Sequence, residues 1–270
     1  MSEPRVEYLA DTALDALSAT IDPLPRHFEA GDEVPPLWHW LFFLNRFPKA
    51  EAGPDGHQRA SLWLPGLRPQ LTRRMWAGLK ITWHAPLRSG MVASQTTTIG
   101  PPIYKSGSLG DLCFVKLGRD IHQGGRHVIS EEQELVYQPA GQPRNRAAKP
   151  QPPTRWDWSE RLKLDEWTLF RYSALTFNSH RIHYDRSYAQ QAEGVRDLVV
   201  QGPLLATLLL RKLGSKWPDA RLDRFECRMS APAFVNESLE FTATREQSSM
   251  KCGIASGAGT PVLLGRVSLE

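Results

Sequence analysis

The feature that most constrains this chain is a pattern that occurs twice, once in each half. KITWHAPLRSGMVASQTTT (80–98) and FECRMSAPAFVNESLEFTAT (225–244) each carry a β-like run, an Ala-Pro pair, a Gly or Asn four residues after the Pro, and a second β-like run. Pro86 corresponds to Pro232, and Gly90 to Asn236. Gly and Asn tolerate a left-handed backbone, so both places read as turns between half-buried antiparallel strands whose side chains alternate apolar and polar. A chain that repeats such a hairpin is expected to fold as two related modules.

The division falls in the middle. Residues 139–156, PAGQPRNRAAKPQPPTRW, are rich in Pro, Gln, Arg and Ala and nearly free of large aliphatics, the composition of an exposed linker. The expected organisation is a module over 1–140, a linker over 141–155 and a second module over 156–270. With 41% hydrophobic and 23% charged residues and a mean hydropathy of −0.40, the chain has the apolar material for a sizeable core and is neither disordered nor fibrous.

Each half also holds one strongly apolar helical candidate. Gly202-Pro203 opens LLATLLLRKL and Gly214 closes it, with Arg211 and Lys212 in the last turn, and the apolar residues surround the helix axis. In the first half PLWHWLFFLNRF, between Pro36 and Pro48, reads similarly. Strands are expected over 222–229, 238–246 and 262–269. One buried helix wrapped by an antiparallel sheet, twice over, is an α+β double hot-dog architecture in outline. Periodicity alone also allows other α+β sheets.

Several classes drop out. Cys113, Cys227 and Cys252 lie far apart with no CxxC pair, against both a disulfide framework and a zinc site, and a reducing cytoplasm is the expected location. The formal charge of +4 suits a phosphate-bearing ligand, and without a Lys/Arg block no nucleic-acid partner is expected. The N-terminus has no apolar run of signal-peptide length, and the longest apolar stretch, Leu198 to Leu210, includes Gln201 and Pro203 and is too short to span a bilayer. No membrane association is expected.

The chemistry concentrates in TFNSHRIHYDRSYA (176–189), where Asn178, His180, Arg181, His183 and Asp185 crowd together ahead of the buried helix. Asp185 reads as the cap of a short helix, DRSYAQQAE, ended by Gly194. His180 and His183 as a metal pair lack convincing further ligands, so no metal is expected. Two solvated loop histidines remain the bland alternative.

This stretch resembles the hydratase motif of the MaoC-like hot-dog family, in which an Asp and a His five residues apart hold the water that adds across an enoyl thioester. WHWLFFL, LTRRMWAGL, KSGSLGDLCFV and EEQELVYQ extend the resemblance to its two-module branch, which contains mesaconyl-C4-CoA and itaconyl-CoA hydratases and the type 2 hydroxyacyl-thioester dehydratases. The family His falls on His183 and the family Asp on Asn178, while His180 and Arg181 replace an Asn and a Pro. Asn cannot take a proton, so His183 is left to act more nearly alone, or with His180.

Hydration of an α,β-unsaturated thioester needs a base for water, a proton for Cα and donors for the enolate oxygen. His183 is the expected base, Asn178 the group that orients water, and the Gly202 N–H at the helix start the enolate donor, a place the resemblance also gives to an oxyanion glycine. A plain helix start accounts for Gly202-Pro203 too. Arg181 is a candidate partner for a second carboxylate on the acyl group; Arg73, Arg74 and Lys105 are candidates for the phosphates of coenzyme A, or ordinary surface charges. Tryptophans 38, 40, 63, 76 and 83 read as core and tunnel wall.

The first half holds no counterpart of Asn-x-x-x-x-His, so one site per chain is expected, with a non-catalytic first module shaping the tunnel. The expected activity is a hydro-lyase on an enoyl-CoA, with a C5 dicarboxylic substrate such as itaconyl-CoA or mesaconyl-C4-CoA. A straight-chain (3R)-hydroxyacyl thioester dehydratase, a thioesterase and a non-catalytic acyl-CoA-binding module are the competitors. No cofactor is expected beyond the coenzyme A of the substrate, and the chain is expected to be a monomer or a homodimer.

Overall fold

The computed structural model describes residues 3–107, 110–139 and 155–270. The expected linker, 141–155, lies outside the described residues apart from Arg155. The first half supplies β1 (Arg5–Tyr8), α1 (Asp11–Ile21), β2 (Arg73–Trp83), β3 (Val92–Ile99), β4 (Ile103–Gly107), β5 (Gly110–Gln123) and β6 (Arg126–Gln138). The second supplies β7 (Trp158–Lys163), α2 (Glu166–Leu175), α3 (Arg186–Gln191), α4 (Gly202–Lys216), β8 (Leu222–Met229), β9 (Ser238–Arg245), β10 (Ser249–Ser256) and β11 (Pro261–Leu269).

The strands form one antiparallel sheet in the order β1-β3-β5-β6-β2-β8-β11-β10-β9-β7, with β4 paired to β5 off this path. The order is palindromic about the β2–β8 seam: β6 flanks β2 as β11 flanks β8, and β1 closes one end as β7 closes the other. At the seam Leu79 opposes Cys227 and Ile81 opposes Phe225, so two half-sheets are joined by a continuous ladder. This is the double hot-dog arrangement.

The two expected turns are equivalent in detail. Gly90 has φ 69° and Asn236 φ 60°, both left-handed. The Gly90 N–H donates to the Leu9 carbonyl at 2.7 Å, and the Asn236 N–H donates to the Leu164 carbonyl at 2.7 Å. Leu9 and Leu164 each stand just before a helix, α1 and α2, and these two helices pack on one another. The repeat therefore extends beyond the hairpin to a strand and a helix that precede it.

Of the expected elements, the strands at 222–229, 238–246 and 262–269 form as β8, β9 and β11, whereas β10, with Gly253 at its centre, carries too weak a pattern to be read. Helix α4 starts at Gly202 with Pro in its first turn, and Leu204 to Leu210 and Leu213 are all buried. Gly214 does not end it: the helix continues to Lys216.

The first-half helix at 36–48 does not form. Only Trp38–Leu41 winds, as one 3-10 turn, between left-handed Leu37 (φ 70°) and Phe43 (φ 54°). Aromatic residues are indifferent helix formers, and here a buried carboxylate outcompetes the helix. Glu131 of β6 accepts from His39 Nε2 (2.8 Å), Trp40 Nε1 (2.7 Å), Arg119 Nη1 (2.6 Å) and Gln133 Nε2 (2.8 Å). Burial alone would raise its pKa; the Arg119 charge and the His39 and Trp40 donors reverse that and bring it to about 2. A central helix thus exists in the second half alone among the described residues.

Trp38 is buried in the core, and the three cysteines are free and buried. Among the described residues no helix is long and apolar enough to cross a membrane.

The turn geometry generates a stability prediction. An ideal Cβ on Gly90 would lie 2.3 Å from the Ala30 Cβ and 2.5 Å from its Cα, in a left-handed conformation. Gly90→Ala therefore combines backbone strain with a clash that no side-chain rotation relieves, and is expected to cost on the order of 2–3 kcal/mol. Asn236→Ala keeps the left-handed strain without a clash and loses the exposed bond from Asn236 Nδ2 to Glu166 Oε2, and should cost about 1 kcal/mol. Chemical denaturation of the two variants checks the ordering.

Candidate active site

A cavity of about 660 Å³ lies between the halves, lined from the second by Asn178, His180, His183, Val199, Gly202 and Pro203 and from the first by His57, Arg74, Trp76, Gln95, Arg119 and Gln138, among others. It is built where irregular segments of both halves meet. After α2, whose Asp165 caps the Thr168 N–H, the chain leaves the helix through left-handed Phe177 and makes a tight turn in which Asn178 Oδ1 accepts from the His180 N–H at 3.1 Å. One 3-10 turn, Arg181–His183, then presents His183 inward, and Asp185 caps α3 by accepting from the Tyr188 N–H, as expected.

His183 is buried, with Nδ1 2.6 Å from the Val199 carbonyl. A carbonyl only accepts, so Nδ1 carries the proton and Nε2 is left with its lone pair. Burial pulls the His183 pKa down to about 4, the Val199 hydrogen bond opposing it. The ring is therefore neutral at ordinary pH with an acceptor nitrogen beside the cavity, as a water-activating base requires.

Gly202 heads α4, whose N-cap residue Gln201 makes no side-chain cap bond; its amide instead donates to the Leu169 carbonyl and to Ser173 Oγ. The absence of a side chain at 202 has a packing reason besides any chemical one: an ideal Cβ would sit 2.6 Å from the Trp76 ring. The Asn178 amide nitrogen remains to donate, its oxygen being used in the turn.

The predicted basic residues separate. Arg181 is not among the cavity-lining residues: its guanidinium donates through Nε and Nη2 to Asp185 Oδ2 and through Nη1 to the Pro54 carbonyl, and stacks on Tyr188. It has a docking task, which leaves it no fork for a substrate carboxylate. Arg73 is buried against Glu193. Lys105, on β4, sits over the Phe114 ring away from the cavity lining. Arg74 does reach the cavity, and its charge acts on both Asp55 and His57. Arg5 and Arg119 also line it, but the first is tied to the Phe43 and Leu44 carbonyls and the second to Glu131.

Sequence reasoning missed Asp55 and His57, because PDGHQ in a loop carries no spacing that points to residues 176–189. The two loops interlock: the Arg181 N–H donates to the Asp55 carbonyl at 2.8 Å, Ser179 Oγ donates to the Gly56 carbonyl, and Gly56 (φ 88°) approaches so closely that a Cβ there would lie 2.0 Å from the Ser179 oxygen. Asp55 Oδ2 and His57 Nδ1 are 3.1 Å apart, and the His57 ring lies 4.1 Å from that of His180, itself 5.3 Å from His183. Burial first, then the charges of Arg74 and His183, push His57 well below its usual pKa.

Asp55, His57 and His180 have ligand atoms within 4.8 Å of one another, the one group among the described residues with the makings of a metal site. Two of the three are engaged with each other, and the Arg74 charge works against a cation there.

The model of the family "hydroxyacyl-thioester dehydratase type 2" matches residues 37–235. The chain is 41% identical over 220 residues to a mesaconyl-C(4)-CoA hydratase of Chloroflexus aurantiacus, covering 81% of this chain and 78% of that protein. It is 28% identical over 264 residues to the mitochondrial hydroxyacyl-thioester dehydratase type 2 of Schizosaccharomyces pombe, covering 86% and 87%. A MaoC-like dehydratase structure from Phytophthora capsici superposes with a TM-score of 0.72 at 16% identity over 99% of this chain and 95% of that one, which establishes the shared fold. With the palindromic sheet and the match over most of its length, the chain belongs to the type 2 hydroxyacyl-thioester dehydratase family of hydro-lyases.

Proposed function

We propose that this enzyme adds water reversibly across the double bond of a C5 dicarboxylic enoyl-CoA, of which mesaconyl-C4-CoA and itaconyl-CoA are the candidates. The observation that carries the reading is the placing of a neutral His183 and the Arg74 guanidinium in one cavity. The 41% identity to a protein named mesaconyl-C(4)-CoA hydratase supports the same substrate class.

In this reading water sits at His183 Nε2 with the Asn178 amide orienting it, and its oxygen attacks Cβ as the proton passes to imidazole. The enolate that develops on the thioester oxygen meets the Gly202 N–H at the positive end of α4, and the proton returns to Cα. Arg74 takes over the task expected of Arg181, pairing with the free carboxylate of the acyl group. A straight-chain 3-hydroxyacyl thioester is the second reading, favoured by the family description and the yeast relative.

The test is loss of enoyl-thioester absorbance with mesaconyl-C4-, itaconyl- and crotonyl-CoA. The C5 dicarboxylic thioesters are expected to turn over fastest, and His183→Ala should lose about 10²–10⁴-fold in kcat. A wild-type preference for crotonyl-CoA would shift the assignment to the straight-chain reading, and an inert protein that still binds the thioesters would make it a binding module.

Arg74→Met should lower kcat/KM for the dicarboxylic substrate by about 10²-fold, the worth of a charge-assisted pair, and leave crotonyl-CoA much less affected. An equal loss on both substrates would remove Arg74 from recognition.

The His183 pKa near 4 also predicts a pH profile. Because the folded value is depressed, the base stays deprotonated well below pH 6.5, and the acid limb of kcat/KM that His183 contributes should lie near pH 4–5. The same depression contributes stability above the unfolded value of about 6.5 that is lost as pH falls toward 4, readable as a falling Tm over that interval.

A further inference from the structure

We infer that Asp55 and His57, from the first half of the chain, form the proton-transfer dyad of this site, with His57 as a catalytic base and Asp55 as its positioning residue. The inference rests on the hydratase reading above and reverses the expectation that the first half only shapes the tunnel.

The motif at 176–189 offers no free carboxylate to back a histidine: Asn178 does not titrate, Asp185 is held by Arg181 and by the Tyr188 N–H, and His180, the other imidazole there, packs against His57. The interlocked loops bring such a group from elsewhere. Asp55 accepts twice from one residue, Oδ1 from the His57 backbone N–H and Oδ2 opposite Nδ1, both at 3.1 Å. A carboxylate facing Nδ1 fixes the proton there, so His57, like His183, is left with an acceptor Nε2, and both rings line the same cavity. The two acceptor nitrogens flank the His180 ring on one cavity, where a water held at His57 Nε2 keeps an oxygen lone pair free to attack.

The two imidazoles differ in what stands behind them. His183 leans on a carbonyl, whereas His57 leans on a carboxylate, which stabilises an imidazolium far better. His57 therefore replaces His183 as the ring that takes the proton, and His183 is left to help hold the water. As the O–H bond breaks toward His57 Nε2, the water oxygen bonds to Cβ and the C=C electron pair moves to the thioester oxygen as an enolate. The imidazolium then returns the proton to Cα as the enolate collapses. The net change is addition of H and OH, with no redox step and no co-reactant.

The experiment is steady-state hydration by the full-length protein of whichever enoyl-CoA the wild type turns over, with His57→Gln, Asp55→Asn and His57→Gly, each checked for an unchanged far-UV spectrum. His57→Gln can hold water without accepting its proton, so kcat should fall about 10²–10⁴-fold at nearly constant KM. Asp55→Asn donates to Nδ1 and forces the proton onto Nε2; it should lose a comparable factor and alter the pH profile. His57→Gly should regain activity with added imidazole, which a purely structural role would not allow.

Full kcat in His57→Gln, or no imidazole rescue of a folded His57→Gly, overturns the dyad while leaving the hydratase intact. Activity lost on dialysis against EDTA and regained with Zn²⁺ also overturns it, making Asp55, His57 and His180 metal ligands. A wild type inert toward every enoyl-CoA instead overturns the hydratase reading, and the dyad with it.

Discussion

The pairing of β2 with β8 is the constraint on which the remaining architecture depends. β2 is the strand of the first half that pairs across the seam, with β6 on one side in its own half and β8 of the second half on the other. Such a strand cannot shift register without dragging both half-sheets. Gly78 sits at this seam, where a Cβ would fall 2.8 Å from the Cys227 carbonyl, and the ladder with β6 shifts register between Trp76 and Gly78. That bulge turns the start of β2 toward the cavity, so that Arg74, Met75, Trp76 and Ala77 all line it. Trp76 in turn closes on Gly202. The same few residues join the halves, pack the start of α4 and shape the wall opposite His183.

The two halves differ in what they hold inside. The second retains a long helix whose apolar residues face its sheet, while the corresponding stretch of the first is irregular and contributes Phe43, Asn45, His57 and Trp63 to the cavity lining. Glu131 explains how this irregular stretch is held. A buried carboxylate with a positive charge and three further donors is a strong local anchor, and it draws His39 and Trp40 out of any helical repeat. Without a helix there, the stretch lines the cavity, and its loop reaches the second half at Ser179.

The electrostatics of the cavity follow from the burial of His57 and His183. Burial disfavours the charged imidazolium at His57 and His183 alike, so both are held neutral and basic at their outer nitrogens. Arg74 adds a fixed positive charge to the cavity, and it is placed by a strand rather than a loop.

Local pattern was enough wherever the signal was contained in neighbouring residues. The Gly90 and Asn236 turns, the Gly-Pro start of α4, the Asp185 cap and the inward His183 all depend on backbone preferences or short spacings, and each was legible from the sequence. What the sequence could not show is where distant segments meet. PLWHWLFFLNRF has the composition of a buried helix, but Glu131, about ninety residues away, decides otherwise. Arg181 has the chemistry of a carboxylate clamp, but Asp185 and the Pro54 carbonyl claim it, and Arg74 occupies the cavity instead. Asp55 and His57 have no local signature, and only the interlocking of Gly56 with Ser179 carries them to His180 and His183. Short-range chemistry determined most of the elements and the turn that carries His183; long-range hydrogen bonding and close backbone approach decided which of the remaining polar residues share the cavity.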